Sequence, residues 1–174
     1  ISFVAAFALM GATNAFTIYA IKTDMFLDQF AELPFTIGDL TGIDDSGYLK
    51  SKDDNDSILL GQLDSSQHPM DNGEGLRLGY SITEVKMPFM YDFTFEKLYE
   101  HRITKYSYEA GIRYEESDAA VWGAKRAYRL TDNGEPENTY FVCYDRVFLQ
   151  INAGWELTTE QMGMIGSKIN SLTQ

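Results

Sequence analysis

The chain has 174 residues, 44% hydrophobic and 14% aromatic, with 26 acidic against 14 basic side chains and a formal net charge of −12. A charge of that sign repels phosphate backbones and anionic headgroups, which argues against a nucleic acid partner. The single cysteine, Cys143, rules out an intrachain disulfide and a cysteine-based metal site, and the hydrophobic and aromatic content is too high for a disordered tail.

Residues Ile1–Ile21 carry no charged side chain. As a helix they would span roughly 31 Å, about the thickness of the hydrocarbon core of a bilayer. The sequence therefore predicts a transmembrane helix over 1–21, with an uncleaved signal peptide or a buried core helix as alternatives. The stretch has no basic n-region and no clean small-residue cleavage motif, which disfavours the signal peptide. Gly11, Ala12, Thr13 and Asn14 suit a face that packs on another helix in the bilayer, so a partner membrane protein is expected. After Lys22 the next basic residue is Lys50, and such a flank reads as exported. Residues 22–174 are thus expected outside the cytoplasm, as one soluble domain attached to the cell membrane through residues 1–21.

Within that domain, residues 22–33 suggest a short helix with Met25, Phe26, Leu27, Phe30 and Leu33 as its apolar face, ended by Pro34. Residues 35–75 read as an acidic, loop-rich part with one or two short elements. Leu76–Met87 alternates through Leu78, Tyr80 and Ile82, the period of a strand, and Pro88 breaks it. Asp92 can cap a helix starting at Phe93, with Phe95, Leu98, Tyr99, Ile103 and Tyr106 as its stripe. Ala119–Leu130, Thr139–Tyr144 and Val147–Ile151 read as three strands of an antiparallel meander, the last two joined at Asp145-Arg146. Thr158 and Gln161 spell a capping box, and Met162, Ile165, Ile169 and Leu172 fall on one helical face behind it. The fold class is α+β: an antiparallel sheet with helices on one face, an amphipathic C-terminal helix packed on the C-terminal meander, and a transmembrane helix in front.

Recognisable chemistry is sparse. His68 has Asp64, Ser65, Ser66 and Asp71 near it in sequence, but triads assemble in space and no Gly-x-Ser-x-Gly elbow occurs, so an exposed polar loop is the simpler reading. His101, between Glu100 and Arg102, reads as a solvated helix face. Asp53, Asn55 and Ser57 begin like a calcium loop, yet Ile58 stands where glycine is needed and Asp64 where glutamate is needed. No metal ligands, cofactor or catalytic residues are therefore assigned, although a looser surface calcium site stays open. Gly73, Gly75 and Gly79 lack the spacing and the preceding strand of a nucleotide fingerprint. The aromatic residues offer a candidate ligand-binding surface formed by Tyr106, Tyr108, Tyr114, Trp122 and Tyr128, set against the reading that most of them are core and cross-strand pairs.

The stretches LPFTIGDLTGIDD (33–45), KMPFMYD (86–92), WGAKRAYRL (122–130), GEPENTYFVCYDRVFLQI (134–151) and WELTTEQMGMIGSKI (155–169) resemble the extracytoplasmic C-terminal part of uncharacterised membrane-anchored proteins of Gram-positive bacteria. The resemblance covers most of residues 24–174. It implies an anchored, exported domain and carries no catalytic signature. The expected function is binding, sensing or partner docking without catalysis. The alternatives are a cell-envelope hydrolase using carboxylates such as Glu115, Glu116, Asp118 or Asp145, and a structural subunit of an envelope complex.

Overall fold

The structure, a computed structural model, describes residues 33–56, 60–70, 73–98 and 111–173. The predicted transmembrane helix, the helix expected over 22–33 up to residue 32, and the later part of the helix expected from Phe93 lie outside these residues. Among the described residues no helix is long and apolar enough to cross a membrane.

Seven strands form one sheet: β1 (Tyr48–Asp56), β2 (Leu60–Pro69), β3 (Leu78–Val85), β4 (Ile112–Ser117), β5 (Arg126–Asp132), β6 (Glu135–Cys143) and β7 (Val147–Ala153). The spatial order is β1-β2-β3-β7-β6-β5-β4, and every pairing is antiparallel. Two meanders thus meet at the β3–β7 pair, where Tyr80 stands opposite Ile151 and Ile82 opposite Leu149. The helices are α1 (Ile37–Thr41), α2 (residues 91–98) and α3 (Thr159–Thr173). The architecture is α+β, as the sequence pattern implies.

The sheet is covered by helix on both faces, not on one. Tyr140, Val142, Leu149 and Ile151 point to a larger core closed by Ile37 of α1 and by Ile165 and Ile169 of α3. Phe141, Cys143 and Phe148 point the other way, to a smaller core closed by Phe95 of α2. All five residues of Tyr140–Tyr144 are buried, so the end of β6 reads as a continuous apolar run and not as an alternating one.

The C-terminal helix starts as its sequence predicts. The Gln161 amide donates to Thr158 Oγ1 at 3.2 Å and the Thr158 amide donates to Gln161 Oε1 at 3.0 Å. Gln161 Nε2 also donates to the Leu40 carbonyl at 2.9 Å, tying α3 to α1. Gly166 lets α3 approach the 3-10 turn Ala120–Trp122, since a Cβ there would lie 1.9 Å from the Trp122 carbonyl oxygen.

The region expected to be loop-rich, 35–75, instead contains α1 and the long β1–β2 hairpin. β1, YLKSKDDND, is an outer strand whose residues 49–55 are all exposed, so burial imposes no alternation on it. β2 does alternate, but its buried positions include Gly61, Ser65 and Gln67, which no hydrophobicity pattern reveals. Gln67 is buried because it completes α1: Nε2 donates to the Phe35 carbonyl at 3.1 Å and Oε1 accepts from the Ile37 amide at 3.0 Å. The strand expected from Ala119 begins at Arg126, since residues 120–122 turn as a 3-10 helix closed by Gly123 at φ 57°.

Candidate functional site

The turn ahead of β5 builds the site. Asp118 at the end of β4 accepts from the Ala120 amide at 2.9 Å and starts the 3-10 turn. Trp122, fully buried, anchors that turn against Tyr140 with ring centroids 5.4 Å apart. The Gly123 amide closes the turn on the Ala120 carbonyl at 3.0 Å, and the Lys125 amide joins the sheet through the Cys143 carbonyl at 2.9 Å. The chain thus leaves the turn with two cations, Lys125 and Arg126, at the start of a strand.

A cleft of about 370 Å³ lies here, lined by Glu116 and Ser117 of β4, Ala119, Lys125, and Arg126, Ala127 and Tyr128 of β5. Glu116 stands directly opposite Tyr128 in the β4–β5 register, so their side chains share a face. Lys125 pairs with Asp145, and its Nζ sits 5.7 Å from the centre of the Tyr91 ring. The Arg126 guanidinium lies 4.7 Å from the centre of the Phe95 ring. Each cation therefore rests on an aromatic ring of α2, an arrangement that fixes both the side chain and the helix. The Phe95 ring is in turn stacked on Tyr128 at 6.4 Å and on Phe141 at 6.3 Å.

The groups beneath the cleft are held neutral. Burial pushes the Tyr128 hydroxyl above its ordinary range, against the opposing pull of Arg126. Burial pushes the Cys143 thiol up to about 12, so it stays protonated at neutral pH and is a poor nucleophile. Among the described residues no cluster of three His, Cys, Asp or Glu side chains could hold a metal ion.

Of the aromatic residues picked out in the sequence, Tyr114 and Tyr128 come together in the smaller core, both mostly buried, with Phe95 and Phe141. Trp122 lies in the larger core on the opposite face of the sheet. Tyr106 and Tyr108 lie outside the described residues. Of the three described, Tyr128 alone lines the cleft. The carboxylates named for hydrolysis are dispersed: Glu115 bonds Arg113 Nε at 2.8 Å, Asp118 holds its turn, Asp145 pairs with Lys125, and Glu116 lines the cleft. His68 sits on β2, opposite Leu49, with Nδ1 at 3.1 Å from the Pro69 carbonyl oxygen. The residues missed from sequence are Lys125 and Arg126. Their signal was the run KRAYR at 125–129, which puts three of the chain's 14 basic residues within five positions.

A smaller cleft of about 240 Å³ lies between α1 and α3, lined by Pro34, Phe35, Asp39, Leu40, Met164, Ile165 and Lys168. Its Asp39 carboxylate is occupied by the Thr36 amide at 2.7 Å.

No protein-family model, characterised protein or solved structure matches this chain.

Proposed function

We propose that the protein is a membrane-anchored, extracytoplasmic binding or sensing domain without catalytic activity of its own, and that the β4–β5 cleft is its ligand site. The observation that carries this reading is the cleft itself: a concave site with two ring-supported cations in a chain of net charge −12. Convergent polar groups in a concave, partly apolar site are the general mark of a small-ligand pocket. The anchor and the exported side rest on the uncharged stretch 1–21, on the lack of Lys and Arg between residues 22 and 50, and on the resemblance to Gram-positive membrane proteins. Binding fits the cleft better than hydrolysis. Two-carboxylate hydrolysis needs a facing pair roughly 5–10 Å apart, and among the described residues Glu116 is the one carboxylate in the lining.

The test is a fragment screen by NMR on the 15N-labelled full chain in zwitterionic detergent micelles. The expected result is shift changes concentrated at Ser117, Ala119, Ala127 and Tyr128. Hits that map elsewhere or leave these amides unmoved would remove the cleft as the ligand site.

The reading as a partner-docking subunit has its own support. Phe89, in the 3-10 turn Pro88–Met90 ahead of α2, is 78% exposed and Phe93, in the first turn of α2, is 55% exposed, and aromatics are enriched at protein contacts. A Phe89→Ser/Phe93→Ser double variant that no longer co-purifies with a partner of the wild-type chain would favour it.

A further inference from the structure

We propose that the β4–β5 cleft selects a ligand bearing a single carboxylate, and that Arg126 is the residue that receives it. This rests on the reading of the cleft as a ligand site and names the chemical class it takes. In this acidic chain five of the described cations find carboxylates: Lys50 pairs with Asp45, Arg113 with Glu115, Lys125 with Asp145, Arg129 with Glu156 and Arg146 with Glu84. Arg126, like Arg77 and Lys168, makes no ion pair among the described residues. Its contacts are the face of the Phe95 ring and the Tyr128 side chain. A guanidinium over a ring face keeps N–H donors beyond the one turned to Tyr128, and a pair of them matches a carboxylate with two parallel bonds. The residue lines the cleft, so those donors border a space large enough for a small ligand or the end of a peptide.

Two further features narrow the class. Glu116 lies on the same face, opposite Tyr128, and its negative charge disfavours a doubly charged phosphate while offering an acceptor to an N–H on the ligand. The Tyr128 ring borders the space with apolar surface that suits a short hydrocarbon body, while the Ala119 and Ala127 side chains pack on the larger core of the other face. One carboxylate, a neighbouring N–H and a small apolar group are together the features of a C-terminal amino-acid residue.

The probes are N-acetyl-alanyl-alanine and its C-terminal amide, titrated into the full chain in zwitterionic micelles and followed at the cleft amides. The acid should bind about 10-fold tighter than the amide or better, as expected for one charge-assisted bidentate contact. Arg126→Gln should abolish that preference, and Arg126→Lys should reduce it, because the charge remains while the fork is lost. Unchanged thermal unfolding of Arg126→Lys shows that the fold is intact. Equal binding of acid and amide would overturn the carboxylate assignment and leave the cleft standing as a ligand site. An acid preference that survives Arg126→Gln would overturn the role of Arg126. No shift at the cleft amides with either probe would overturn this inference, and if the fragment screen is also silent there, the cleft falls with it.

Discussion

Arg146 and Arg113 make ion pairs of similar length with unequal consequences. Arg146 Nη2 lies 3.0 Å from Glu84 Oε1, and the Glu84 side chain is 1% exposed, whereas both partners of the Arg113–Glu115 pair face solvent. Removing a hydrogen bond to a buried charge costs roughly 1.5–3 kcal/mol, and an exposed pair is worth about 0–1 kcal/mol. Arg146→Ala should therefore lower the denaturation midpoint clearly, and Arg113→Ala should leave it nearly unchanged, both read by urea titration. Asp45 adds a pH dependence. The Lys50 ammonium and then the Gly38 amide hold its carboxyl below the ordinary range. A folded-state value depressed below the unfolded one contributes stability above about pH 4 that is lost as the pH falls through the folded value. Thermal unfolding of wild type against Asp45→Asn should show the gap closing as the pH falls below about 4, and a constant gap would contradict the assignment.

The elements differ in how far the sequence reveals them. α3 was legible because its cap, its apolar stripe and its partner Trp155 are all local: the Trp155 indole donates to Gln161 Oε1 at 3.2 Å, at the helix start. β5, β6 and β7 were legible from their apolar runs and the turn residues between them. β1 and β2 were not, since an outer strand has no buried face to pattern it and β2 turns Gly61, Ser65 and Gln67 inward. β4 escaped notice because its buried position, Tyr114, stands among charged residues. Gln67 shows what a polar inward residue does, for it supplies two of the hydrogen bonds that dock the segment ahead of α1, beside the one from the Tyr80 hydroxyl to the Phe35 carbonyl. Gln67→Met keeps the volume and removes both bonds, leaving the Ile37 amide unmatched. It should cost about 1–3 kcal/mol, with faster hydrogen exchange confined to α1 and its contact with α3. Uniform acceleration across the sheet would mean that Gln67 holds up more than this segment.

The candidate site was partly legible for the same reason. Tyr128 was visible as an aromatic residue in a strand, but Arg126 and Lys125 matter because β5 starts beside α2, where Phe95 and Tyr91 wait for them. That juxtaposition depends on covering both faces of the sheet, which local pattern does not report. At the level of the whole molecule two parts join: an uncharged N-terminal stretch proposed as an anchor, and an acidic α+β domain in which Lys125 and Arg126, each over a ring, line a cleft. If the domain is exported, its ligand comes from outside the cell and the cleft can serve as a sensor. The most direct test is protease treatment of intact protoplasts expressing the protein, with an antibody against the C-terminal helix as the probe. The account predicts that residues 22–174 are digested while a cytoplasmic control survives. Protection of the domain until the protoplasts are lysed would place it inside and contradict the proposed topology.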